Sequence, residues 1–309
     1  MLLEEKKWRE TFRDSFQGEV GFDVPMKGHT SLGIGGEADV LATPGDPLSL
    51  RNLLAVLKEE DIAFFPLGGG SNILVSDRGI EGVVISLRGF RRMEVLQEKR
   101  DRVELFVESG VPLQKLVNFC REKGYSGIEG LIGIPGTVGG AICGNAGSFG
   151  CEMKDVVVSV AIMGSDAKLE RFTAEGLGFG YRKSDLSPSD IVLSANISMK
   201  KDDAEAVSSR TEGFFREKTK RQPISERSAG CVFRNTEGTS AGKLIEEAGC
   251  KGMRVGDIEV SPVHANFFIN RGKGTAEDYL ALMNEVGTIV QKRFGISLVP
   301  EIRVVGRKR

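Results

Sequence analysis

The sequence predicts an α+β protein of more than one domain. Three observations predict it. Strand and helix signals alternate without the regular strand–helix–strand rhythm of a doubly wound sheet. The 309 residues exceed what one ordinary core encloses, so two or three packed domains are expected. The 40 glycines gather in clusters at 33–36, 68–70, 130–150 and 176–180 rather than in a collagen-like period. Clustered glycine in a globular composition marks tight turns or main chain brought close to something.

The elements follow in order. Residues 1–20 read as an amphipathic helix, and 46–60 as another. In the latter Asp46 can cap, Pro47 suits the first turn, and Leu50, Leu53, Leu54 and Leu57 share a face. AFFPL (63–67), VVISL (83–87) and VELFVES (103–109) read as strands. Pro112 opens a helix lined by Leu113, Leu116, Val117 and Cys120, which Gly124 can end. The stretch 127–150 has almost no periodicity and reads as a long glycine-studded loop, a kind that is usually functional. VVVSVAIM (156–163) and IVLSANISM (191–199) are strands. A polar helix spans roughly 203–220, anchored by Phe214 and Phe215. Beyond it come a helix at 240–249, a strand at 265–270, a helix at 276–294 with a Thr275/Asp278 capping box, and a strand at 298–305. Leu280, Met283, Val290 and Phe294 would supply the buried face of that last helix.

Composition narrows the function classes. A formal net charge of -1 gives no basic field for nucleic acid. Five cysteines without a CxxC pair fit a reducing compartment and argue against a disulfide framework. His29 and His264 match no zinc spacing, so no metal site is expected. The charged N-terminus lacks a signal-peptide core, and no apolar run spans a bilayer. The expected setting is cytoplasmic, with no nucleic acid or membrane as partner.

LGGGSN (67–72) runs a strand into Gly68, Gly69, Gly70, Ser71 and Asn72, exposing consecutive backbone N–H groups that suit phosphate oxygens. It is neither a Walker loop nor a GxGxxG fingerprint, and a plain tight turn is the alternative. GIPGTVGGAICGNAGSFG (133–150) holds seven glycines with small apolar residues between them, which favours burial over a flexible surface loop. Two such nests point to a diphosphate-bearing cofactor. Arg182 in GLGFGYRKS reads by itself as a surface ion pair. Cys231 in RSAGCVFRN reads first as an inert buried thiol. Glu301 in PEIRVVG faces either solvent or a site, and periodicity leaves both open.

Taken together, HTSLGIGGEAD, LGGGSNILVSDRGIEGVVI, GIPGTVGGAICGNAGSFG, YRKSDL, GCVFRN, AGKLIEEAGCKGMRVGDIEVSPVHANFFIN and PEIRVVG resemble the UDP-N-acetylenolpyruvoylglucosamine reductase family, from about residue 24 to the C-terminus. The resemblance implies an FAD-binding domain of the vanillyl-alcohol-oxidase type plus a smaller C-terminal α+β substrate domain. It places subdomain borders at 1–80, 81–200, 201–298 and 299–309, the last being a strand returning to the active site. The short interval between YRKS and GCVFRN looks like the compact subgroup that lacks an inserted tyrosine loop. The implied reaction has two halves. NADPH reduces non-covalent FAD, then UDP-N-acetylglucosamine enolpyruvate takes hydride at its methylene carbon and a proton at the carbon bearing the carboxylate.

By motif, Arg182, Cys231 and Glu301 take the catalytic positions. Arg182 would face the substrate carboxylate and Glu301 would help polarise it. Cys231 stands where most members carry serine, and a thiol gives up a proton more readily than an alcohol. Gly68, Gly69, Gly70, Ser71, Asn72, Ile134, Pro135, Gly136, Thr137, Gly139, Gly140, Asn145, Ala146 and Gly147 would hold FAD. Arg234 and Asn235 would hold the UDP-sugar. Lys218, Lys220 and Arg221 would either meet its diphosphate or form a solvated helix end. A monomer or weak oligomer is expected. The rival reading is another flavoprotein of this fold, such as an alcohol or hydroxy-acid oxidase.

Overall fold

The computed structural model describes residues 3–12 and 15–307. Its contacts divide the chain into two compact units, each built from separate stretches. The first comprises Met1–Val24, Asp39–Gly69 and Gly82–Arg216; the second comprises Pro25–Ala38, Gly70–Glu81 and Glu217–Arg309.

The N-terminal helix, α1 (Glu5–Thr11), is shorter than the sequence predicts, and Gly18–Pro25 is a strand. Residues 1, 2, 13 and 14 of the expected helix lie outside the described residues. The reason for the misreading is aromatic. Trp8 and Phe12, the residue that ends the helix, lie 4.7 Å apart between centroids, but Phe16 and Phe22 reach Trp8 from beyond the helix, at 5.9 and 6.2 Å. One aromatic cluster thus mimics a longer helical period.

Helix α2 (Pro47–Glu59) forms as its sequence dictates. The Asp46 carboxylate accepts from the Ser49 N–H at 2.8 Å, Pro47 opens the first turn, and Leu50, Leu53, Leu54 and Leu57 are buried. They join Trp8, Phe12, Val83 and Ile85 in one core. The neighbouring four-stranded sheet runs in the order Gly18–Pro25, Glu37–Pro44, Ile80–Ser86, Phe64–Leu67.

The rest of the first unit is built on an antiparallel six-stranded sheet. Its main path is Leu169–Thr173, Val157–Met163, Ile191–Lys201, Arg102–Glu108, Met93–Glu98, and Tyr125–Ser126 pairs with the central strand. Helix α3 (Leu113–Lys123) ends at Gly124, which is left-handed at φ 69° as a helix-terminating glycine should be. Its Leu113, Leu116, Val117 and Cys120 pack with Leu105, Val107, Val160 and Ile197. The stretch read as pure loop contains helix α4 (Val138–Cys143). Its short length and its own Gly139 and Gly140 hide that helix from periodicity. Tertiary bonds fix its start: Val138 N–H donates to Val111 O and Gly139 N–H to Ser109 O, both at 2.9 Å.

Helix α5 (Ala204–Arg221) follows. Phe214 packs against the first unit's core, whereas Phe215 is exposed. Arg210 of this helix bonds the buried Glu129 carboxylate at 2.9 Å and Asp202 at 2.7 Å. Burial alone would push the Glu129 carboxyl up. The N–H of Gly127, its own N–H, the Ser126 hydroxyl and Arg210 outweigh this and hold it below the usual carboxylate range. A carboxyl depressed in the folded state adds stability above its unfolded pKa, and that stability is lost as pH falls through the folded value. Glu129→Gln is therefore expected to cost about 1.5–3 kcal/mol at neutral pH, the range for hydrogen bonds to charged groups, with the exposed Arg210 end keeping it toward the low side. The difference from wild type should shrink as thermal unfolding is repeated at falling pH. A constant difference would contradict this account.

In the second unit, α6 (Ala241–Glu247) and α7 (Ala276–Phe294) pack with a three-stranded antiparallel sheet in the order Arg254–Val255, Ile258–Val260, Phe268–Asn270. The predicted capping box is present: Asp278 N–H donates to Thr275 Oγ1 and Thr275 N–H to Asp278 Oδ2, both at 3.0 Å. The buried face of α7 includes Tyr279, Leu282, Met283, Val286 and Val290, while Leu280 and Phe294 are only partly covered. The closing strand is limited to Arg303–Val305, parallel to Ile73–Val75.

Candidate functional site

In the first unit the two glycine nests are one structure. A Cβ added at Gly68 would lie 2.7 Å from Thr137 Oγ1, and one at Gly69 would lie 2.6 Å from the Gly136 Cα. The 68–69 turn therefore rests directly on the 136–137 backbone, which only hydrogen side chains permit. Behind it, a Cβ at Gly139 would sit 2.7 Å from the Ser109 Cβ. The hydroxyls of Ser109 and Thr137 are buried and have no hydrogen-bond partner. Buried polar atoms are nearly always satisfied, so two orphans beside a glycine cradle fit a bound ligand rich in acceptors. A diphosphate-bearing cofactor such as FAD fits that description. Gly69→Ala is expected to lower the flavin content of the purified protein and to cost about 1–3 kcal/mol by overpacking. Unchanged flavin content and melting temperature would contradict this prediction.

Asn145 is held by bonds inside the protein. It is fully buried at φ 39°, and its amide donates to Glu152 Oε2 at 3.0 Å and Gly180 O at 2.9 Å. Its oxygen accepts from the Lys154 N–H at 3.0 Å. Both side-chain donors are spent inside the protein. Asn145 instead ties the 145–152 hairpin to the segment that carries Arg182. Ala146 is likewise engaged through its backbone, with its N–H on Ala141 O at 2.7 Å.

Arg182 sits in a two-residue loop closed by the Gly180–Lys183 pairing, with a left-handed φ of 55°. Its Nη1 lies 3.4 Å from where a Gly147 Cβ would be, so the glycine allows the guanidinium to approach the hairpin. A cavity of about 310 Å³ opens there, lined by Gly147, Ser148, Cys151, Glu152, Lys154 and Arg182 among others. Lys154, bonded at 2.7 Å, chiefly holds the Glu152 carboxyl below its ordinary range despite burial; Asn145 and the Arg182 charge add to this. Burial pushes the Cys151 thiol up.

In the second unit the rest of the LGGGSN motif meets two catalytic candidates. Gly70 is left-handed at φ 66°, and a Cβ there would lie 2.0 Å from His29 O. Asn72 donates from its amide to Glu301 O at 3.3 Å, and its own carbonyl accepts from the Arg303 N–H at 3.1 Å. Glu301 N–H donates to Val232 O at 2.7 Å, which sets Glu301 beside the Cys231 segment. Cys231 pairs with Phe267 in an antiparallel bridge and is half-buried. Buried Asn266 fastens this segment. Its carbonyl accepts from Val232, and its side chain exchanges bonds with both backbone groups of Phe233 at 3.0 and 2.7 Å.

The UDP-sugar candidates divide. Arg234 Nε is buried with no hydrogen-bond partner and so has a donor to offer, whereas Asn235 Oδ1 accepts from the Ala241 N–H at 3.1 Å and so helps start α6. Lys218 is buried at 3% exposure, so it is no solvated helix end, while Lys220 and Arg221 are exposed. Ser109 escapes sequence reading because it lies in no chemical motif, and Asn266 because nothing local in the long SPVHANFFIN-ending segment marks it out. Among the described residues no group of three or more His, Cys, Asp or Glu could hold a metal, and no helix is long and apolar enough to cross a membrane.

Comparison with known proteins adds to this geometry. Residues 38–173 match the family model described as an FAD binding domain, and residues 222–305 match the C-terminal domain of UDP-N-acetylenolpyruvoylglucosamine reductase. The reductase of that name from Geotalea uraniireducens is 41% identical over 292 residues, covering 94% of this chain and 96% of its own. That from Caldanaerobacter subterraneus is 41% identical over 293 residues, covering 94% and 95%. The crystal structure of the Thermus caldophilus enzyme matches with a TM-score of 0.79 at 36% identity, covering 94% of this chain and 99% of that one. The chain belongs to the UDP-N-acetylenolpyruvoylglucosamine reductase family.

Proposed function

We propose that this chain reduces UDP-N-acetylglucosamine enolpyruvate to UDP-N-acetylmuramate, in peptidoglycan precursor synthesis, with NADPH as reductant and non-covalent FAD. The observation that carries the reading is the pairing of a thiol segment with a carboxylate segment seventy residues away, through the 2.7 Å bond from Glu301 N–H to Val232 O. FAD, when bound, supplies the two-electron link between NADPH and the enolpyruvyl double bond. The glycine cradle formed by Gly68 and Gly69 with 134–140 would hold it, with Ser109 and Thr137 offering hydroxyls.

The chain's own residues supply the rest. Charge builds on the substrate carboxylate during reduction, and Arg182 offers a planar guanidinium suited to it. Glu301 polarises the same carboxylate. Cys231 delivers the proton to the carbon bearing that carboxylate, and its sulfur keeps the electron pair. Arg234 binds the UDP-sugar, as does the buried Lys218 ammonium, and Asn235 shapes that wall through α6. The enzyme works in the cytoplasm as a monomer or weak oligomer.

The test is direct. The purified protein should be yellow, and without oxygen it should consume more than one equivalent of NADPH per flavin only when UDP-N-acetylglucosamine enolpyruvate is present. A colourless protein, or NADPH consumption indifferent to that substrate, would count against the proposal.

A further inference from the structure

We infer that Ser184 and Asn145 are positioning residues for Arg182: they pin both arms of its loop to the C-terminal end of α4, the helix whose other end lies in the glycine cradle. The inference rests on the carboxylate-binding role proposed above for Arg182.

Ser184 stands two residues after Arg182 in YRKS, and Gly180 stands two residues before it. The Ser184 hydroxyl donates to Cys143 O at 2.8 Å. That carbonyl ends α4, and the last carbonyls of a helix find no partner within it. The fully buried Asn145, two residues on, donates from its amide to Gly180 O at 2.9 Å. One bond thus lands on each side of Arg182. The opposite end of α4 is set by the cradle. A Cβ at Gly68 would press on Thr137, the residue before the helix, and Gly139 lies against Ser109. Six residues of helix, about 9 Å, separate the wall of the cofactor site from the anchors of the guanidinium.

The loop needs such anchors. Gly180 and Lys183 exchange backbone bonds at 3.0 and 3.3 Å, which leaves Tyr181 and Arg182 as the turn. Arg182 is left-handed at φ 55°, a conformation that a non-glycine residue keeps only where its surroundings impose it. Tyr181 is 49% exposed and imposes little. Phe179 and Leu186 pack on the first unit's core farther out, but apolar contact has no direction. The Ser184 and Asn145 bonds do have direction, and they act within two residues of Arg182. A group that stabilises developing charge must be in place beforehand, and a misplacement of about 1 Å can cost about 100-fold in rate.

Ser184→Ala tests this in the whole protein, because Ser184 is only half-buried and a single bond is lost. The NADPH-reduced flavin, mixed anaerobically with saturating UDP-N-acetylglucosamine enolpyruvate, should reoxidise about tenfold more slowly than in wild type. Flavin content and melting temperature should stay close to wild type. Ser184→Thr keeps a hydroxyl in place and should recover the rate. Asn145→Ala, which releases the other arm, should slow the same step at least as much. In an Arg182→Ala background neither substitution should add a further loss. Wild-type reoxidation in Ser184→Ala would overturn the inference. So would an equal loss in both backgrounds, or a Ser184→Thr protein as slow as Ser184→Ala, since the hydroxyl would then not act through Arg182. Should Arg182→Ala by itself leave reoxidation intact, the role of Arg182 fails instead, and this inference falls with it.

Discussion

Cys231→Ala is expected to slow substrate-dependent turnover roughly 100- to 10,000-fold, the range for losing a positioned general acid. Flavin reduction by NADPH alone should be unaffected, because that half of the reaction needs no proton at the substrate carbon. The physical case is specific. Cys231 follows Gly230, left-handed at φ 74°, and precedes the Val232–Phe233 backbone that Asn266 and Glu301 fasten from both sides. Alanine fits that backbone without strain, so the effect should be chemical rather than structural. Cys231→Ser should retain much of the activity, since a hydroxyl can occupy the same place with a weaker acid. Rapid-reaction measurement of each half separates the outcomes; equal slowing of both halves would contradict the assignment.

Arg182→Ala is expected to lower turnover roughly 100- to 1000-fold, comparable to removing one donor that stabilises developing charge. The balance of charge around the cavity explains the size. Glu152 is held ionised chiefly by Lys154, so removing Arg182 leaves a carboxylate in place, with Lys154 already bonded to it, and takes away the guanidinium that lines the cavity. The left-handed backbone at 182 is already borne by a non-glycine residue, so the substitution adds little new strain. Arg182→Lys should recover only part of the loss, because a point charge cannot match two carboxylate oxygens at once. Full activity in Arg182→Lys would show that charge alone suffices.

Local signals in the sequence carried over well where the physics is local. The Asp46 cap, the Gly124 terminus and the Thr275/Asp278 box each depend on a few consecutive residues, and each is present. Readings failed where distant chain decides. Helix α4 owes its start to Val111 and Ser109 carbonyls, which no window over 133–150 contains. Phe16 and Phe22 completed an aromatic cluster rather than a helix. The site shows the same split. Glycine nests are legible as nests, but their contact through Gly69 and Gly136 is not. Asn145 and Asn235 look like ligands by motif, yet their side chains are bonded within the protein.

Anaerobic reoxidation of the flavin tests the central claim most directly. The protein is reduced with one equivalent of NADPH and then mixed with UDP-N-acetylglucosamine enolpyruvate, while absorbance and product are followed together. The account predicts that the oxidised flavin spectrum returns and that UDP-N-acetylmuramate forms in equal amount. A flavin that stays reduced with this substrate, yet reoxidises quickly when oxygen is admitted, would identify an oxidase and contradict the account.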